Sequence, residues 1–132
     1  GFVATGPAML IGFVAGIVCY LALSIKEKAK LDDALDVLAV HLVGGIFGSI
    51  ALGLFADSAV NELVPDGLFL GGGTALLQDQ VVATLAVFVF ALVGSYAIAK
   101  VIDKTMGLRV DEETEEIGLD QVLHAETAYF FF

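Results

Sequence analysis

AMLIGFVAGIVCYLALSI, residues 8–25, decides the fold class. The run carries no charge, and its clearly polar side chains are Tyr20 and Ser24. A bilayer core needs about 20 mostly apolar residues wound as helix. A second run of this kind covers roughly residues 34–55, and a third roughly residues 76–102. The third is longer than a bilayer needs, which predicts a tilt or a projection into the cytosol. Gly6 and Pro7 open the first helix, since proline is tolerated in a first turn. A soluble helical bundle would show an apolar stripe and a polar stripe on each helix. These runs are apolar all round, so the fold class is an all-α integral membrane protein with three transmembrane helices. The first run has no basic flank before it, which argues against a cleaved signal peptide.

Composition points the same way. The apolar set makes up 58% of the 132 residues, with 15 glycines besides, and the mean hydropathy is +0.92. A soluble domain sits near ~45–50% with glycine included. Disorder and a collagen-like repeat are excluded. The single cysteine, Cys19, excludes an intrachain disulfide and any multi-thiolate metal site. Six basic residues against 16 acidic give a net charge of −10, which argues against nucleic acid. The chain opens on Gly1 and not on Met, so its N-terminus is expected to be processed or cut from something longer.

The basic residues set the topology. Lys26, Lys28 and Lys30 fall between the first two runs, and Lys100, Lys104 and Arg109 at or beyond the end of the third. The loop between residues 56 and 75 has none, so the basic side is the cytosol and the N-terminus lies outside. That loop carries Asp57, Glu62 and Asp66, with Pro65-Asp66-Gly67 as a turn. Gly71-Gly72-Gly73 lacks the Lys-Ser/Thr and the preceding strand of a phosphate loop, and reads as a flexible lead-in to the third helix. Residues 1–110 are thus the membrane portion, and residues 111–132 an acidic, solvated cytoplasmic tail.

Function is sought in the second run, where Asp36 and His41 are the ionisable groups. Such groups inside a membrane helix are costly and usually face a bundle interior or an aqueous path. His41 lies roughly 10 Å in from Ala34 at about 1.5 Å per residue. A neutral imidazole offers one donor and one acceptor. It can pass a proton or hold a small polar molecule in line, or it can be a structural histidine bonded to a neighbouring helix. No His, Cys or carboxylate follows it at helical spacing, which argues against a metal site. Gly44 and Gly48, and Gly12 and Gly16, have the small-xxx-small spacing of close helix packing. Three helices with so many close-packing faces cannot satisfy one another, so further helices are expected. No nucleophile–base set or paired carboxylates share a face, so an enzyme is not expected, nor a cofactor.

The run from Asp32 to Gly45, DDALDVLAVHLVGG, resembles the tenth membrane helix of the ammonium transporters, the Amt/Mep/Rh family. Asp66-Gly67-Leu68-Phe69 is similar to their outer loop before the last helix. Their cytoplasmic signature is matched by Gly107-Leu108-Arg109-Val110, then an acidic run, Gly118-Leu119-Asp120 and His124-Ala125-Glu126-Thr127-Ala128-Tyr129. The resemblance covers nearly the whole chain, with its motifs in the family's order.

The resemblance implies the last quarter of an eleven-helix transporter, helices nine to eleven with the tail, in the plasma membrane as a homotrimer with one narrow apolar pore per subunit. Ammonium is recruited outside and deprotonated on entering, and ammonia and a proton cross by linked routes. Two histidines from different helices line the pore: His41 matches the second, and the first lies upstream of this sequence. Val37 matches an apolar position at the inner constriction. Asp33, Asp36, Gly107, Arg109, Gly118, Asp120, His124 and Tyr129 are the implied loop and regulatory-tail residues. The tail packs under the inner pore mouth, reaches the next subunit and, with that face, receives PII-class signalling proteins. Arg109 and the Lys26–Lys30 loop are the expected counter-charges of the acidic tail. The chain departs from the family pattern at Leu42 and Ala39, where glycine is common, and at Ala125, where glycine often follows the tail histidine. Val122 stands where plant members carry a threonine switch, and Phe130–Phe132 match nothing in the family. Two other classes remain open: an ammonium sensor, and a structural assembly of membrane helices.

Overall fold

A computed structural model describes residues 1–127. Its regular elements are all helical, with no strand among the described residues: α1 (Thr5–Lys28), a π-helical segment (Leu38–Val43) running into α2 (Gly44–Phe55), a 3₁₀ turn (Leu68–Leu70), α3 (Ala75–Thr105), α4 (Glu112–Ile117) and α5 (Leu119–His124). Three helices are long and apolar enough to cross a membrane: Thr5–Lys28, Leu38–Phe55 and Ala75–Thr105. The chain divides into two compact units, residues 1–88 and 89–132.

In the first unit, α1 packs against the π segment and α2. The buried apolar residues of the described chain are all alanines: Ala22, Ala39, Ala51 and Ala56. Large side chains point outward instead, Met9 at 73% exposure and Phe13 at 70% among them. This follows from the solvent: lipid tails are as apolar as leucine, so helices associate through small residues that let backbones approach. A Cβ at Gly44 would lie 3.1 Å from Cys19 Sγ, and one at Gly53 would lie 2.8 Å from Leu77 Cα. Gly12, Gly16 and Gly48 have nothing within 4 Å of a built Cβ. The paired-glycine spacing is thus used within the described residues only at Gly44, and Gly53 supplies a close approach that the spacing rule does not single out.

α1 ends as its sequence dictates. Lys26 and Lys28 stand in its last turn, where cations suit the helix dipole. Lys30 takes the left-handed conformation (φ 54°), and the Leu31 N–H reaches back to the Lys26 carbonyl at 3.3 Å, closing a Schellman-type cap. The second membrane helix starts at Leu38, later than the residue 34 at which the apolar run begins. Asp36 has a left-handed backbone (φ 56°), which interrupts the helix. Asp33 caps the π segment, its two carboxylate oxygens accepting the Val37 N–H at 3.0 Å and the Leu38 N–H at 2.8 Å.

The loop before α3 is tightly specified, which corrects the expectation of a flexible glycine lead-in. Gly71 and Gly73 hold positive φ (91° and 74°), and a Cβ on Gly72 would sit 1.7 Å from the Asp66 carbonyl oxygen. The Gly72 N–H donates to the Gly67 carbonyl at 3.1 Å. Asp66 Oδ1 accepts the Ser58 N–H at 2.8 Å, which holds its carboxyl below the ordinary carboxylate range. Phe55 and Phe69 meet edge to face at 5.0 Å. The N-terminus is stitched to the same loop by the Asp57 N–H on the Phe2 carbonyl at 3.0 Å.

In the second unit, the last turns of α3 are followed by Gly107 (φ 79°) and two short helices in contact with one another. Asp111 caps α4 by accepting the Thr114 N–H at 2.8 Å, which lowers its pKa. Gly118 (φ 105°) separates α4 from α5, and Ala125 closes α5 in the left-handed region. The acidic tail, expected only to be solvated, is therefore exposed but helical in part.

Candidate functional site

His41 stands inside the π-helical segment Leu38–Val43. An α-helix takes one residue more per turn in such a segment, which is rare and recurs at functional sites. Ala39 in the same segment is fully buried, and Leu38 and Val43 line a cavity with Val18, Leu21 and Ala22 of α1. His41 is exposed on this chain, as is Val37 at 49%. The imidazole is thus presented outward by a segment whose other side is anchored. Counted from the start of the regular helix at Leu38, His41 is the fourth residue, inside the first turn. That replaces the ~10 Å expected from a start at residue 34.

The lead-in to this segment gathers the charges. Lys26 Nζ donates to the Asp33 carbonyl at 2.8 Å and forms an ion pair with Asp36 Oδ1. The Lys26 side chain is 11% exposed, whereas Lys28 and Lys30 are exposed. Asp33 and Asp36 are therefore brought together at the head of the helix that carries Val37 and His41. Lys26, in the Lys26–Lys30 loop expected to face the tail, is engaged by Asp33 and Asp36 of the lead-in. Sequence reasoning missed it because a lysine in the last turn of a membrane helix reads as an ordinary cytoplasmic anchor.

The tail residues fall in the second unit. Arg109 Nη2 pairs with Glu115 Oε1 at 2.9 Å, so this counter-charge does meet the acidic run. Gly107 and Gly118 hold the positive-φ positions on either side of α4, and a Cβ on Gly118 would come within 2.8 Å of Asp120 Oδ1. Asp120 is in the first turn of α5 and its carbonyl accepts the Glu126 N–H at 3.1 Å; His124 is the last residue of α5 and exposed. Tyr129 lies outside the described residues, as do Phe130–Phe132. No cluster of three or more His, Cys, Asp or Glu side chains suited to a metal occurs among the described residues.

Comparison with known proteins supplies the family. The family model described as Ammonium Transporter Family matches residues 1–129. A putative ammonium transporter from Methanothermobacter thermautotrophicus is 45% identical over 130 residues, covering 98% of this chain and 32% of the relative. Ammonium transporter Amt1 of Archaeoglobus fulgidus is 43% identical over 129 residues, and the ammonium transporter of Bacillus subtilis 42% over 130, each with 98% of this chain and 32% of the relative covered. The chain spans about a third of the length of these relatives. Family match and relatives agree over almost every residue: the chain belongs to the ammonium transporter family.

Proposed function

We propose that this chain is the portion of an ammonium transporter that supplies its last three membrane helices and cytoplasmic tail, with His41 lining the pore. The carrying observation is the family match over residues 1–129 combined with an exposed His41 on an otherwise apolar helix. The complete protein is a plasma-membrane homotrimer of eleven-helix subunits that moves ammonium as ammonia and a proton.

The physical logic is selective exclusion. A hydrated cation entering an apolar pore loses its water and finds no replacement, whereas a neutral molecule the size of water passes. His41 offers that molecule a donor or an acceptor at a depth where the surrounding side chains, Val40 and Leu42, offer neither. Val37, one turn nearer the helix start, forms the apolar constriction. A second histidine comes from a helix outside this sequence.

Orientation follows from the basic residues. Lys26, Lys28, Lys30, Lys100, Lys104 and Arg109 share the side reached by the end of α1 and the end of α3, which three successive crossings put on one face. That face is cytoplasmic. The tail, with its Arg109–Glu115 pair and capped α4, is the regulatory element there and the docking ground for a PII-class protein.

The test is His41→Ala in the complete transporter, with ammonium uptake and ion selectivity measured in proteoliposomes. Lowered uptake or altered selectivity is expected. Unchanged flux and unchanged selectivity would leave His41 a packing residue and the chain a structural assembly of helices.

A further inference from the structure

The start of the His41-bearing helix is chosen by a clamp, and the clamp has one cationic member. The apolar run favours a helix from about residue 34 onward. The structure begins it at Leu38 instead, because Asp36 sits in the left-handed region. Asp visits that conformation more readily than most non-glycine residues, and its surroundings hold it there. Here the holder is Lys26, which takes the Asp33 carbonyl and the Asp36 carboxylate together from the last turn of α1. Asp33 is thereby free to turn both carboxylate oxygens onto the Val37 and Leu38 amides.

We propose that Lys26 is a positioning residue for His41. It fixes the residue at which the helix starts, and so the direction in which the imidazole points. The geometry makes the direction sensitive: a slip of one residue turns a side chain by roughly a quarter of a turn around the helix axis. A rotation of that size takes His41 from the outward face toward the α1 side, where Leu38 and Val43 line a cavity with Val18 and Ala22. The nearly buried Lys26 side chain, beside two exposed lysines on the same loop, is the sign that this cation serves the fold and not the solvent. The inference rests on the pore reading of His41 and adds what aims it.

The test uses the complete transporter in proteoliposomes, with Lys26→Met, Lys26→Arg, and Lys26→Met combined with Asp36→Gly. Two readouts are taken: ammonium uptake resolved into kcat and KM, and the ring ¹⁵N signals of His41. Lys26→Met is expected to lower kcat by about tenfold to a hundredfold and to shift the His41 signals, because misplacing a group by about an ångström can cost up to about a hundredfold. Lys26→Arg keeps both at the parent value, since the guanidinium spans the same two acceptors. Adding Asp36→Gly restores most of the rate, because glycine holds positive φ without a clamp. Should Lys26→Met not assemble, Asp36→Asn keeps the lysine and weakens the pair, and the same shift is expected. Parent kcat and unmoved His41 signals in Lys26→Met, or in Asp36→Asn where that variant is used, overturn the inference. The His41→Ala measurement separates the two claims: a neutral His41→Ala removes the pore reading, whereas an impaired His41→Ala beside a neutral Lys26→Met removes only the positioning role.

Discussion

Gly53→Ala puts a methyl group where α2 and α3 already touch. The added Cβ would lie 2.8 Å from Leu77 Cα, 3.0 Å from its Cδ1 and 3.3 Å from its Cβ. Ordinary van der Waals contact begins at 3.4 Å, so the shortfall against Cα is about 0.6 Å. The obstructing atom is backbone, so no rotamer change relieves it, and the helices must part. Overpacking of this kind costs roughly 1–3 kcal/mol. Alanine returns about 0.5–1 kcal/mol through its better helix propensity. The net expectation is a loss of about 1 kcal/mol, growing in Gly53→Val as two more methyl groups enter. Chemical unfolding of the full-length protein in mixed micelles, followed by far-UV circular dichroism, reads this difference directly. If Gly53→Ala matches or exceeds the parent in stability and Gly53→Val is no worse, the helices do not meet there and the small-residue account of α2–α3 packing is wrong.

Asp33→Ala removes both amide acceptors at the head of the π segment, with an expected loss of about 1–2 kcal/mol and faster hydrogen exchange at Val37 and Leu38; unchanged exchange at those amides would refute the cap. Asp66 carries a pH-dependent contribution of definite sign: its folded pKa is lowered by the Ser58 N–H, so the stabilisation is full above the unfolded value near ~3.9 and is lost as pH falls through the lower folded value. Exchange of the Ser58 amide should therefore rise, relative to a neighbouring loop amide, below about pH 4, and Asp66→Asn should abolish that step.

Legibility in the sequence tracks how redundant each signal is. The three membrane helices are legible because every residue of a long apolar run votes the same way; α1 overruns the expected 8–25 at both ends, and α3 overruns the expected 76–102 mainly at its C-terminal end. The head of the second helix was not legible, because it depends on one backbone conformation at Asp36 and on a lysine ten residues earlier in the chain. The π segment is invisible to periodicity for a related reason. In LAVHLV nearly every position is apolar, so no stripe exists whose drift could betray the extra residue. Gly72 was read as slack because three glycines in a row signal freedom, while its actual constraint, the Asp66 carbonyl, is brought there by the chain's own turn. His41 was legible as a candidate because it is the ionisable group flanked by apolar neighbours; the group that aims it was not, because Lys26 carries the same charge as two solvent-facing neighbours.

The π segment is pinned at both ends, by the Asp33–Asp36–Lys26 lead-in on one side and by the Gly44–Cys19 approach on the other. Between these pins the chain holds one residue more than an α-helix of equal length requires. That surplus has a genealogical meaning. A single-codon deletion between 39 and 43 would tighten the turn to α-helical form and shift His41 by one position relative to the Asp33 cap or to Gly44, so the length of this turn is held while its apolar side chains can vary.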